Sequence, residues 1–203
     1  MFRLYDYLES GNGYKVRLLL TQLGIPFDRV ELDIVKGETR TPDFLAKNPN
    51  GRIPVLEVAP GEFLAESNAI LFYLAEGTPL LPSDRWQRAQ VLQWMGFEQY
   101  SHEPNIATSR FWISHQLLTP ERRAQLPQKQ ALGYAALDVM EKHLTECTFF
   151  VGGRYSIADI ALYAYTHVAH EGEFDLSRYP YIRAWLERVR LQPRHIPITH
   201  GER

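Results

Sequence analysis

The chain has 203 residues, 45% hydrophobic and 23% charged, and its 22 Lys and Arg against 24 Asp and Glu leave a formal charge of −2. That length allows one large domain or two small ones, and the even charge balance argues against a protein that tracks nucleic-acid phosphates with a surplus of basic residues. A single cysteine, Cys147, excludes an internal disulfide, a C-x-x-C redox pair and a cysteine-rich zinc site, so no metal is expected. The opening residues lack a basic region followed by an apolar run, and no stretch approaches the roughly 20 apolar residues that span a bilayer. The expected setting is the reducing cytoplasm, with no membrane partner.

The first 76 residues alternate short apolar runs with helical stretches. Phe2–Tyr7 predicts a strand, and Asn12–Leu23 a helix with Val16, Leu19, Leu20 and Leu23 at helical spacing and Gly24 as its stop. Phe27–Leu32 is a second strand. Thr41-Pro42 opens a short helix with Phe44 and Leu45 inward, ended near Lys47 because Pro49 disfavours a helical residue before it and Asn50-Gly51 favours a turn. Pro54–Ala59 and Glu62–Ala65 form a hairpin about Pro60-Gly61, and Ser67–Glu76 is a helix with Ile70, Leu71 and Leu74 on one face. The order is β-α-β-α-β-β-α.

Gly77, Pro79 and Pro82 then mark a stiff linker, residues 77–85. From 86 to 203 the pattern is all-helical: Trp86–Leu117, Pro120–Glu146, Ser156–His170 and Arg178–Leu191 carry apolar residues at helical spacing, and Gln192–Arg203 reads as irregular. The expected architecture is α/β in residues 1–76 and a helical bundle in 86–203.

Three segments carry candidate chemistry. Leu8 to Lys15 joins the first strand to the first helix and places Ser10 and Asn12 at a helix N-terminus, where a thiolate or other anion is stabilised; the same residues suit a helix cap. In Arg52-Ile53-Pro54-Val55 a proline opens a strand after a turn. A cis bond there would turn the Ile53 backbone outward to pair with an extended peptide, whereas the residues alone favour the commoner case, a trans proline at a strand's first residue. Glu66-Ser67 stands at a strand-to-helix junction, where a carboxylate takes an ammonium and a hydroxyl with free N–H groups takes a carboxylate, or where the pair caps the helix.

Taken with Tyr155-Ser156-Ile157-Ala158-Asp159-Ile160, these segments make the chain similar to the cytosolic glutathione S-transferases of bacterial type, from Phe2 to about Leu191. The resemblance implies a thioredoxin-like N-terminal domain, an all-helical C-terminal domain, a cis-Pro54, and a cytoplasmic homodimer with active sites near the subunit interface. It further implies glutathione as co-substrate and a small electrophile as second substrate, in a detoxifying role. On it, Glu66 and Ser67 hold the γ-glutamyl end of glutathione, the Ile53 backbone and Pro54 the cysteinyl part, and Arg52 the glycyl end, with Lys36 and Arg40 as further candidates because Thr39 stands where some classes have His. Ser10 and Asn12 are the sulfur donors, with Tyr5 and Tyr7 as rivals.

The resemblance also makes Ser156-x-x-Asp159 a buried capping box and therefore a folding element. The electrophile pocket is expected from Tyr7 and from Tyr100 and Phe111 on the long helix Trp86–Leu117, while His102 reads as an exposed or interface histidine. The expected function is glutathione transfer to an apolar or aromatic electrophile. The alternatives are a glutathione-dependent disulfide-bond oxidoreductase without a catalytic cysteine of its own, and a non-catalytic binding protein.

Overall fold

In the computed structural model, which describes residues 1–201, strand β1 (Phe2–Asp6) pairs in parallel with β2 (Phe27–Glu31) and antiparallel with β3 (Val55–Ala59), which pairs antiparallel with β4 (Glu62–Ala65). The sheet order is β2-β1-β3-β4. Side chains alternate across a strand, so Tyr5 faces one side, where it packs with Phe44 of helix α2 (Pro42–Leu45) and with Val55. Leu4 and Asp6 face the other, toward helix α1 (Gly11–Leu23), which packs against helix α3 (Ser67–Ala75). The result is the thioredoxin-like layering of helices on both faces of a mixed sheet.

Close approach of α1 to β1 depends on Gly13, because a methyl group there would occupy the space of the Asp6 carboxylate. That carboxylate is buried 2.7 Å from Arg17 Nε. Burial pushes Asp6 up to about 6 against the attraction of Arg17, and burial likewise lowers Arg17. Arg17 also donates to the carbonyls of Leu8 (2.6 Å), Ile198 (3.0 Å) and His200 (2.7 Å), and Tyr14 Oη donates to Ile196 O at 2.7 Å. These bonds explain why residues 193–201 join Met1–Glu76 in one compact unit, whereas Gly77–Gln192 forms the other. The sequence pattern alone groups residues 193–203 with the helical region; residues 202 and 203 lie outside the described residues.

The helical unit contains α4 (Arg85–Phe97), α5 (Glu103–Ser114), α6 (Pro120–Leu144), α7 (Ile157–Thr166) and α8 (Pro180–Arg190). Every residue of α7 is buried, as expected for a helix apolar on all sides at the centre of a bundle. The single helix expected over Trp86–Leu117 is interrupted: Glu98–His102 is a π-helical turn. Pro104, which has no N–H to give and crowds the carbonyl four residues back, accounts for the break. The helix expected over Ser156–His170 ends at Thr166, with a separate 3-10 turn at Ala169–Gly172. His102, expected at an exposed or interface position, is fully buried, and its Nε2 lies 2.9 Å from Thr166 Oγ1.

Asp159 has the structural place expected of it. Its carboxylate accepts from Ser156 N (2.9 Å), Ser156 Oγ (3.1 Å), Phe150 N (3.1 Å) and Trp185 Nε1 (2.9 Å), completing a capping box at the start of α7.

Candidate active site

The turn Tyr7 to Ser10 is closed by Ser10 N–H donating to Tyr7 O at 2.9 Å, which delivers Ser10 to the N-cap of α1 in extended backbone. Its Oγ accepts from Gly13 N–H at 3.3 Å. A hydroxyl that accepts at a cap retains its own proton to donate elsewhere. Two residues on, Asn12 Oδ1 accepts from Lys15 Nζ at 2.8 Å and from Ser67 Oγ at 3.3 Å. Ser67, buried at the first position of α3, also accepts from Lys15 Nζ at 3.3 Å. The start of α1 and the start of α3, 55 residues apart in sequence, are thereby joined through side chains.

Glu66, the N-cap of α3, has φ 69° and ψ 112°, and its side chain makes no capping bond. A non-glycine residue in that region is held at a cost of about 1–3 kcal/mol, a strain that concentrates at binding sites. Glu66 is exposed and precedes in sequence the buried Ser67 that opens α3, so an acceptor for an ammonium and a helix start that favours a carboxylate occur at neighbouring residues.

The Ile53–Pro54 peptide bond is cis. Asn48 Nδ2 donates to Arg52 O at 2.8 Å and so shapes the turn before it. Ile53 packs at the edge of the Tyr5, Phe44 and Val55 cluster, and Arg52 is exposed. Of the other cations considered for a carboxylate, Lys36 pairs with Asp33 at 2.9 Å and Arg40 Nη1 donates to Asn50 O at 3.0 Å.

Tyr5, the first of the two tyrosine candidates, has a partner of its own. Its hydroxyl donates to Glu57 at 3.0 Å, and burial, with the Glu57 carboxylate adding to it, raises its pKa. Tyr7 is half-buried at the end of the first strand. The remaining residues expected at the electrophile pocket belong to the helical unit: Tyr100 lies in the π turn, 89% exposed, and the Phe111 ring meets His115 in a tilted arrangement with centroids 4.4 Å apart. Cys147 is half-buried, also in the helical unit.

Lys15 is a further member of this cluster that none of the three sequence segments singles out by its own chemistry. The signal was present: at i+3 from Asn12 and i−4 from Leu19, Lys15 sits on the apolar face of an amphipathic helix, where a cation is costly unless hydrogen-bonded.

Fold and site together define a thioredoxin-like domain carrying two polar helix starts and a cis-proline strand, followed by a helical domain. Family models extend this to a particular family: residues 1–76 match the glutathione S-transferase N-terminal domain and residues 100–193 the glutathione S-transferase C-terminal domain. The chain belongs to the glutathione S-transferase family. The crystal structure of a glutathione S-transferase from Pseudomonas fluorescens Pf-5 is similar at a TM-score of 0.96 and 55% identity, over 98% of this chain and 99% of that one. Among curated proteins, glutathione S-transferase 3 of Zea mays is 33% identical, covering 94% of this chain and 90% of its own length. Disulfide-bond oxidoreductase YfcG of Escherichia coli K12 is 30% identical, covering 95% and 92%.

Proposed function

We propose that this protein is a glutathione transferase that ionises the thiol of bound glutathione with two neutral donors, the Ser10 hydroxyl and the Asn12 amide, and directs the thiolate at a small apolar or aromatic electrophile. The observation that carries this reading is the Asn12–Ser67 hydrogen bond of 3.3 Å, which brings a candidate sulfur donor together with a candidate carboxylate donor at two helix starts. Glu66 and Ser67 then hold the γ-glutamyl end, the Ile53 backbone and Pro54 the cysteinyl part, and Arg52 the glycyl carboxylate. Donors to the charged form lower a thiol pKa without removing the proton themselves; the proton leaves to solvent and the electrophile's leaving group departs as the C–S bond forms. Tyr7, Tyr100 and Phe111 are the proposed contacts of the electrophile, and the working form is a cytoplasmic homodimer with a role in detoxification.

The test is the thiol pKa of enzyme-bound glutathione, read from thiolate absorbance, together with turnover of a chlorinated nitroaromatic. Ser10→Ala and Asn12→Ala are each expected to raise that pKa and lower turnover near neutral pH. Unchanged values in both variants refute the assignment, and failure of the wild type to bind glutathione in calorimetry favours a non-catalytic protein.

The likeness to YfcG supports a second reading, in which two glutathiones reduce a disulfide and leave as oxidised glutathione. Turnover of a small disulfide in preference to the chloroarene selects it. Since Cys147 is remote in sequence from every site residue, Cys147→Ser keeps activity on either reading.

A further inference from the structure

The side chain at the junction of the two helix starts is Lys15, whose exposure is 0%. A methionine would fill the same volume without desolvating a charge, so the hydrogen bonds of the ammonium must offset its burial. Two of them go to residues already assigned to the substrate: Asn12 Oδ1 at 2.8 Å and Ser67 Oγ at 3.3 Å. An ammonium donates and never accepts. The Asn12 atom facing it must therefore be the oxygen, because the reversed amide would set NH2 against NH3⁺. The orientation of this amide follows from chemistry and does not depend on telling O from N by position.

Ser67 adds a second constraint. Its hydroxyl accepts from Lys15 and donates to the same Asn12 oxygen. When that hydroxyl proton turns to a substrate carboxylate, Asn12 Oδ1 loses one donor and keeps Lys15. The amide thus stays oriented whether or not the neighbouring subsite is filled.

We propose that Lys15 is a positioning residue of the glutathione site, fixing the Asn12 amide with its oxygen inward and its NH2 group turned to the sulfur. The inference rests on the reading of Asn12 as a sulfur donor. Lys15 does not touch the reacting atoms; it acts through Asn12.

The thiol pKa of bound glutathione and the affinity for S-methylglutathione, which has the peptide and no thiol, test the proposal. In Lys15→Met the thiol pKa is expected to rise by about one unit, which is about a tenfold loss of thiolate on the acid side of that pKa. S-methylglutathione affinity should stay within about threefold, since helix starts and Ser67 remain. An unchanged thiol pKa overturns the proposal, as does a loss of S-methylglutathione affinity with no pKa shift. In an Asn12→Ala background, Lys15→Met should add almost nothing; a full further shift shows that Lys15 acts by its own charge and overturns the positioning role. Should Lys15→Met not fold, Lys15→Gln keeps an N–H donor without the charge: a thiol pKa near wild type supports the role and a full-unit rise overturns it. If Asn12→Ala alone leaves the thiol pKa unmoved, the reading of Asn12 fails first, which separates the two failures.

Discussion

Asp159 offers a quantitative test of how the helical unit is held. Burial raises its carboxyl from 3.8 to about 6, opposed by the hydrogen bonds from Trp185, Phe150 and Ser156. A folded state that keeps its proton to about 6 while the unfolded chain releases it at 3.8 gains stability from this group that is fully present below 3.8 and lost as pH rises through 6. Between pH 4.5 and 7.5 that loss comes to about 2 kcal/mol. Asp159→Asn cannot titrate and so lacks the slope. It also presents NH2 to one of the donors that now meet a carboxylate oxygen, leaving that buried donor unmet at about 1–3 kcal/mol.

The expected outcome is that Asp159→Asn destabilises at both pH values, and by about 2 kcal/mol more at 4.5 than at 7.5. Urea unfolding of wild type and variant, followed by circular dichroism at one fixed protein concentration, measures the difference. Asp6, pushed up to the same value in the other unit, contributes equally to both proteins and cancels. A destabilisation equal at the two pH values, or larger at 7.5, refutes the reasoning, because the carboxylate would then be held charged by its four donors with no net cost of burial.

Further outcomes follow from the N-terminal unit. Ser10→Asp keeps an acceptor for Gly13 N–H, so unfolding should shift by no more than about 0.5 kcal/mol, while loss of the hydroxyl proton and the added charge beside the sulfur lower chloroarene turnover; a retained rate removes Ser10 from the site. Gly13→Ala drives a methyl into the Asp6 carboxylate and should cost about 2–4 kcal/mol in thermal or urea unfolding; wild-type stability would mean that β1 and α1 separate freely. Glu66→Gly relieves a backbone at φ 69° and should change stability by no more than about 1 kcal/mol while weakening glutathione in calorimetry. A loss larger than that would make the Glu66 side chain a structural element.

The first 76 residues were legible because their signals are local: apolar periodicity, Gly24 closing a helix, Asn50-Gly51 closing another, Pro60-Gly61 turning a hairpin. The capping box at Ser156 was legible for the same reason, since both partners lie within one turn. What escaped depends on distant partners. The tail is fixed by Arg17 and Tyr14, about 180 residues away, through backbone carbonyls that carry no sequence signature. His102 meets Thr166 on another helix, so its burial is a property of the bundle. Pro104 was visible, and its consequence, a π turn in place of a continuous helix, needed the packing of α5 to decide. Lys15 was visible as an inward-facing cation, yet its partner Ser67 lies 52 residues on.

Capping and the proposed sulfur donation make different demands on the Ser10 hydroxyl. The cap uses a lone pair of Oγ, leaving the O–H proton as a separate resource. Ser67 uses both ends of its hydroxyl at once, accepting from Lys15 and donating to Asn12. A hydroxyl at a helix start can therefore hold its helix and serve a ligand with different atoms of one group. On the proposed reading the thiolate meets two neutral donors and no base; of the two tyrosine rivals, Tyr5 donates its hydroxyl to Glu57. Neutral donors shift the pKa of the bound thiol without adding a pKa of their own. The pH dependence of the transfer rate should then rise once, with the ionisation of bound glutathione, and level off; a second ionisation in the neutral range would require a protein base that neither Ser10 nor Asn12 supplies.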